Sequence, residues 1–271
     1  MSEERLHRAV SDDGTEIVAR VHGQGAPLVL VSGTGDGENS PFLLPELSGE
    51  FTCYSTSLRG RGLSTASTDH ASERLVEDIA ALADSVGRPV GLAAHSRGAA
   101  QAFSAAAQTD SVHAMALYEP HVIELYSPED VGRAEAALER MQVAAREGRL
   151  AEAAQIFFED ITLPSPEELA ILSQSGAFDF IAPNVPVLIR DILQWGLPRS
   201  PESLPVDGVN IPVLLLHGSR SHRFYVEVVE YLGARLPGVA VQEIAEAGHF
   251  SPMFTPSLVA DRVMQFFKAP G

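Results

Sequence analysis

Two periodicities alternate along the chain. PLVLVS (27–32), PVGLAAH (89–95) and IPVLLLHGS (211–219) are continuous apolar runs, the pattern of strands buried on both faces. TEIVARVH (15–22) alternates as a half-exposed strand does, and FTCYSTSL (51–58), VHAMALYEP (112–120) and VAVQEIA (239–245) read as further strands. Between them lie helical patterns: SERLVEDIAALADSVG (72–87), opened by Ser and closed by Gly, the Ala-rich RGAAQAFSAAAQ (97–108), RFYVEVVEYLGARL (223–236) and PSLVADRVMQFFK (256–268). This order predicts an α/β fold, a doubly wound and mostly parallel sheet covered on both faces.

Residues 121–205 break the alternation. The stretch 129–161 has amphipathic helical character throughout, and a Pro-punctuated apolar segment, FDFIAPNVPVLIRDILQW, follows. No strand is expected there. The chain therefore divides into a core, 1–120 with 206–271, and a helical cap or lid inserted at 121–205. An insertion leaving the carboxyl edge of an open α/β sheet lies over the place where such sheets bind ligands. Its large apolar residues, Phe157, Phe158, Phe178, Phe180 and Trp195, are candidates to line a pocket. Aromatics at such spacings more often build the core of the helices themselves.

The formal net charge of −17 disfavours nucleic acid and anionic membrane as partners, because their phosphates would be repelled. Cys53 stands alone, which leaves no intramolecular disulfide and reads as a buried, inert thiol. The N-terminus MSEERLHRAV lacks an apolar signal-peptide core and no apolar run reaches spanning length, so the expected location is cytoplasmic. The nine His residues show no metal-binding spacing, and no metal is expected. Oligomeric state cannot be read from the sequence.

AAHSRGAA (93–100) puts Ser96 at the junction of a buried strand and a helix. A tight strand-to-helix turn forces its apex residue into a strained conformation, tolerable only beside small neighbours such as Ala94 and Gly98. The turn lifts the side chain clear of the sheet, and the backbone N–H of Arg97 would be one donor to an oxyanion. The other reading is that Ser96 simply caps the helix.

The succession of the SGTGDG loop, RGRGLS, AHSRG, LYEP, the helical insertion, LLLHG and AGHF resembles the α/β-hydrolase superfamily over nearly the whole chain, with Ala94 in place of the first Gly of its nucleophile elbow. That resemblance implies a serine hydrolase with Ser96 as nucleophile. His249 in EAGHFSPM matches the general base, and Thr34 in SGTGDG matches the loop that supplies the second oxyanion N–H, with Ser32 in place of the usual His. The same glycines would also be needed simply to make a turn. RGRGLS (59–64) resembles a structural turn of the family.

Most members carry the triad acid just after the strand that here reads LLLHG, where this chain has HGSRSHRFY, with Ser221 near the expected position. Asp207 and Glu227 fall on the wrong sides of that loop. Glu119, ending the strand VHAMALYEP, would reach the same sheet edge, and zearalenone-type lactonases look similar in carrying their acid there. The other reading of Glu119 is a helix cap, or a partner of Arg97 or His121. His95 is expected to be structural, the Arg97 side chain to reach solvent, and His121 and His222 to border the pocket.

The resemblance thus implies a cofactor-free esterase or lactonase that forms an acyl-enzyme on a mostly apolar small-molecule substrate. Two alternatives use the same fold: a non-catalytic ligand-binding homologue, motivated by the missing Asp, and a cyclase or other tailoring enzyme whose site excludes water.

Overall fold

The computed structural model describes residues 5–34, 36–38, 42–194 and 204–269. Eight strands form one sheet in the order β1-β2-β4-β3-β5-β6-β7-β8. They span Leu6–Val10 (β1), Glu16–His22 (β2), Ala26–Val31 (β3), Phe51–Ser57 (β4), Val90–His95 (β5), Val112–Tyr118 (β6), Val213–Gly218 (β7) and Ala240–Ile244 (β8). The β1–β2 and β2–β4 pairs are antiparallel and all others parallel. The fold class expected from the apolar runs is therefore the one observed. β1 is an addition to the strands read from the sequence: it is a short edge strand on which only Ala9 is buried, so its pattern is too brief to stand out.

Val31, Ala94, Leu117 and Leu215 lie side by side across the central strands. That register brings the carboxyl ends of β3, β5, β6 and β7 to one edge, so the segments leaving them share one neighbourhood. One apolar layer joins the sheet to α2 (Ser72–Ser85), α3 (Ser96–Ala106) and α9 (Arg223–Gly233); the opposite layer joins it to α1 (Leu44–Leu47) and α11 (Pro256–Lys268).

Between β6 and β7 the described residues form helices and no strand: α4 (Pro128–Arg146), α5 (Leu150–Ile156) running into a wider turn at Phe157–Ile161, α6 (Pro166–Ser175), α7 (Ala177–Ile181) and α8 (Val185–Gln194). The stretch 129–161, read as helical, is helical in two pieces that reverse at Gly148, whose φ of +76° ends a helix at little steric cost. Ser127 caps α4, and Ser165 with Glu168 forms a reciprocal capping box on α6. The insertion has its own core around Met141, Phe158, Leu172 and Leu188, joined by Phe250 from the loop that leads into α10 (Ser251–Phe254).

Candidate active site

β5 ends at His95 and α3 begins at Ser96 without an intervening loop. Ser96 takes φ +56°, a left-handed conformation that costs a non-glycine residue on the order of 1–2 kcal/mol. The small neighbours have a measurable reason. A Cβ on Gly98 would sit 2.4 Å from the Ser32 carbonyl, and one on Gly33 would sit 2.9 Å from the Ser96 Cβ. Gly33 and Gly37 are thus needed for close approach rather than for a left-handed turn; a Cβ on Gly37 would meet the Thr56 carbonyl at 2.3 Å.

The structure brings Ser96, His249 and Glu119 together. His249 Nε2 lies 3.1 Å from Ser96 Oγ, and His249 Nδ1 lies 2.7 Å from Glu119 Oε2. A proton on Nδ1 satisfies both contacts: Nδ1–H donates to the carboxylate and Nε2 accepts from the hydroxyl. Glu119 directly follows β6, is fully buried, and holds a strained φ of +46°. Its other oxygen accepts the Gly218 N–H at 2.8 Å and the Ser221 hydroxyl. Ser221, where most relatives of the resembled family place the acid, is here a donor to a carboxylate that comes from the neighbouring strand. Glu119 caps no helix and pairs with neither Arg97 nor His121.

Burial pushes the His249 imidazole well below its ordinary value, which keeps it neutral and able to accept a proton. Burial pushes the Glu119 carboxyl up to about 7, against the pull of Ser221 and Gly218. The Tyr225 ring on α9 stacks on His249 at 4.1 Å between centroids, 11° from parallel, and its hydroxyl donates to the Thr162 carbonyl at 2.8 Å. The imidazole is therefore held by its face as well as by its two nitrogens.

Arg97 departs from its expected role at one atom group. Its side chain is buried, not solvated: Nε donates to the Gly33 carbonyl at 3.3 Å, Nη2 to the Thr34 carbonyl at 3.0 Å, and Nη1 pairs with Asp191 of α8 at 2.5 Å. The N–H of a trans peptide opposes its C=O, so tying the Gly33 carbonyl to this guanidinium turns the Thr34 N–H away from it. Three insertion residues that the sequence did not single out reach the core here. Asp191 also binds Arg61 and His70, Asn184 donates to Asp36 at 3.0 Å, and Glu168 accepts the Phe250 N–H at 2.6 Å. The one local signal was Gly248, where a Cβ would collide with the Glu168 carboxylate at 2.6 Å.

A cavity of about 480 Å³ opens on Ser96 and His249 between the sheet edge and the insertion. Phe157 and Phe180 line it, as do Phe42, Phe250, Met253 and Phe254 from the core, and none of the described residues lining it is Asp, Glu, Lys or Arg. Phe158 and Phe178 do not: they pack in or against the insertion's own core, the commoner fate of helical aromatics. Trp195 lies outside the described residues. His95 borders the cavity, stacked on Phe42, with its ring 4.6 Å from that of His249. His121 is buried beside Ser96 and Arg97, bonded to the Tyr126 hydroxyl. His222 is instead the N-cap of α9. Among the described residues no group of three or more His, Cys, Asp or Glu could hold a metal, and no helix is long and apolar enough to cross a membrane. Burial pushes the Cys53 thiol up to about 12, which leaves it protonated and unreactive.

Residues 28–262 match the family model described as the alpha/beta hydrolase family. No curated protein matches the chain. Among solved structures, an alpha/beta hydrolase from Sphaerobacter thermophilus superposes with a TM-score of 0.78 at 24% identity, over 97% of this chain and 100% of that one. The esterase RhEst1 from a Rhodococcus species gives 0.74 at 24% identity, over 98% and 99%. The enol-lactonase from Burkholderia xenovorans gives 0.77 at 20% identity, over 97% and 100%. At these identities the likeness is one of fold.

Proposed function

Because the chain belongs to the alpha/beta hydrolase family, we propose that it is a serine hydrolase cleaving a carboxylic ester or lactone of a mostly apolar small molecule through an acyl-enzyme. The observation that carries this reading is the hydrogen-bonded run from Ser96 through His249 to Glu119 at the floor of a cavity whose described lining has no Asp, Glu, Lys or Arg.

His249 Nε2 takes the proton of Ser96 as Oγ adds to the substrate carbonyl carbon. The oxyanion is met by the backbone N–H groups of Arg97 and Thr34, an interaction that is often the largest single contribution in acyl transfer. Imidazolium charge on His249 is balanced by Glu119, whose burial makes that balance stronger than it would be in water. The intermediate collapses, the bond to the alkoxy oxygen breaks, and His249 returns the proton to that oxygen. Water then repeats the sequence on the acyl-serine, releasing the acid and restoring Ser96. No cofactor takes part. The insertion serves as a lid whose apolar lining excludes water around the ester and selects uncharged groups.

Incubation with a small fluorophosphonate, followed by intact mass, tests the reading without knowledge of the substrate. One adduct, located on Ser96 and formed much more slowly in Glu119→Gln, is expected. Ser221→Ala keeps the carboxylate in place and should slow labelling only modestly. Absence of any adduct on the unmodified protein would sink the hydrolase and leave a ligand-binding homologue as the better account.

A further inference from the structure

Ser96 stands between two hollows of very unequal size. One is the 480 Å³ cavity. The other is a recess of about 20 Å³ that opens from the same serine toward α8, with Arg97, His121, Ile161, Leu188 and Ile192 among its walls. His249 borders the large cavity and not the recess.

We propose, resting on the serine-hydrolase reading, that the substrate is an acetate ester of a bulky, uncharged, apolar alcohol, with Leu188 and Ile192 setting the limit on acyl length. The carbonyl carbon bound to Ser96 carries two substituents, and the leaving oxygen must lie within hydrogen-bond reach of His249 Nε2 to receive its proton. The alcohol therefore occupies the hollow that His249 borders, which is the large one. The acyl substituent points the other way, into the recess. At about 20 Å³ against about 480 Å³, the recess takes only a short acyl substituent, of which acetyl is the simplest.

The recess has little freedom to widen. Arg97 is tied to two carbonyls and to Asp191, His121 is bonded to Tyr126, and Leu188 is 2% exposed in the insertion's core. The Arg97 guanidinium already donates to Asp191 and to the Gly33 and Thr34 carbonyls. A lactone joins acyl and alkoxy parts in one ring and cannot send them into separate hollows, which favours the open ester. The reaction balances as ester plus water giving the alcohol and acetic acid, with acetyl-Ser96 between.

The test compares naphthylmethyl acetate, naphthylmethyl butyrate and methyl naphthylacetate, the last an isomer of the first with the large group on the acyl side. The acetate should exceed each of the other two in kcat/KM by about tenfold or more, the size of discrimination that one or two methylenes produce in a hydrophobic pocket. Leu188→Ala should raise the butyrate-to-acetate ratio by about tenfold. Ile192→Ala, at a less buried position, gives the same reading should Leu188→Ala fail to fold. Equal rates on acetate and butyrate, preference for the methyl ester, or an unchanged ratio in a folded variant would overturn the proposal. Fluorophosphonate labelling of Ser96 alongside size-blind hydrolysis sinks this inference and spares the hydrolase; no labelling sinks both.

Discussion

Glu119 at the end of β6 and Asp191 on α8 are both fully buried carboxylates, one in the floor of the site and one in its roof, yet their surroundings shift them in opposite directions. Around Glu119 the partners are a backbone N–H, a hydroxyl and a neutral imidazole. Burial then dominates and raises its pKa. Burial also pushes Asp191 up, but the Arg97 and Arg61 guanidiniums outweigh it and hold the carboxyl well below the usual range. The lesson is that partners, not depth, decide what a buried acid does. Asp191 is permanently charged and acts as a rivet between insertion and core. Glu119 has no fixed counter-charge among its described partners, and in the proposed mechanism it responds to a proton arriving on His249.

The comparison breaks most visibly in catalysis. Ser96→Ala should lower kcat on a cleaved ester by about 10,000-fold or more, and Glu119→Gln by about 1,000- to 10,000-fold, because the amide leaves His249 in the wrong tautomer. A Glu119→Gln variant within tenfold of the parent would reduce Glu119 to a structural support. On the roof, Asp191→Asn removes the carboxylate that the buried Arg97 and Arg61 share and should cost about 3–5 kcal/mol in urea unfolding. Its loss of stability should exceed that of Glu119→Gln; the reverse order would erase the distinction between rivet and responder.

Glu168→Ala sharpens the comparison at an intermediate scale. It leaves the buried Phe250 N–H unpaired, which should cost about 1–3 kcal/mol, and it loosens the loop that carries His249. Glu168→Gln keeps an acceptor and should recover most of both stability and kcat, with KM little changed. The smallest effect is in pH dependence. The folded pKa of Glu119 is raised from the ordinary 4.5 to about 7, so its protonated form favours the fold fully below pH 4.5 and that contribution is lost as pH rises to about 7. The Tm of the parent relative to Glu119→Gln should therefore fall across that window. Asp191 has a depressed folded pKa, so its contribution is present above the unfolded value and lost only in strong acid. The Tm difference between the parent and Asp191→Asn should stay flat from pH 5 to pH 8.

Much of this was legible in the chain. Continuous apolar runs marked the central strands to within two or three residues, because a strand buried on both faces leaves little room for polar side chains. The small residues around Ser96 were readable because a strained apex needs space on both sides. Other features were opaque for a definite reason. Glu119 was named from its place after β6 and from the family resemblance, but it and His249 are 130 residues apart, and their contact and the Ser221 hydrogen bond exist only through the parallel pairing of β6, β7 and β8. Arg97 looks like any arginine at a helix start until α8 places Asp191 against it. Phe157 and Phe158 are adjacent on one turn, so their period could not tell which faces the cavity and which the insertion's core.

The family resemblance pointed to His249; by itself, then, the sequence determined the layers, the edge of the sheet where the candidate site gathers, and the tight turn that carries Ser96. These follow from local pattern: burial sets polarity along a strand, and a tight turn sets the size of its neighbours. Tertiary structure alone decided that Ser221 donates to Glu119, that an arginine faces inward, and that Ser96 divides a large hollow from a small one. Each depends on which distant segments the strand register and the packing of the insertion set side by side, and no local pattern carries that information.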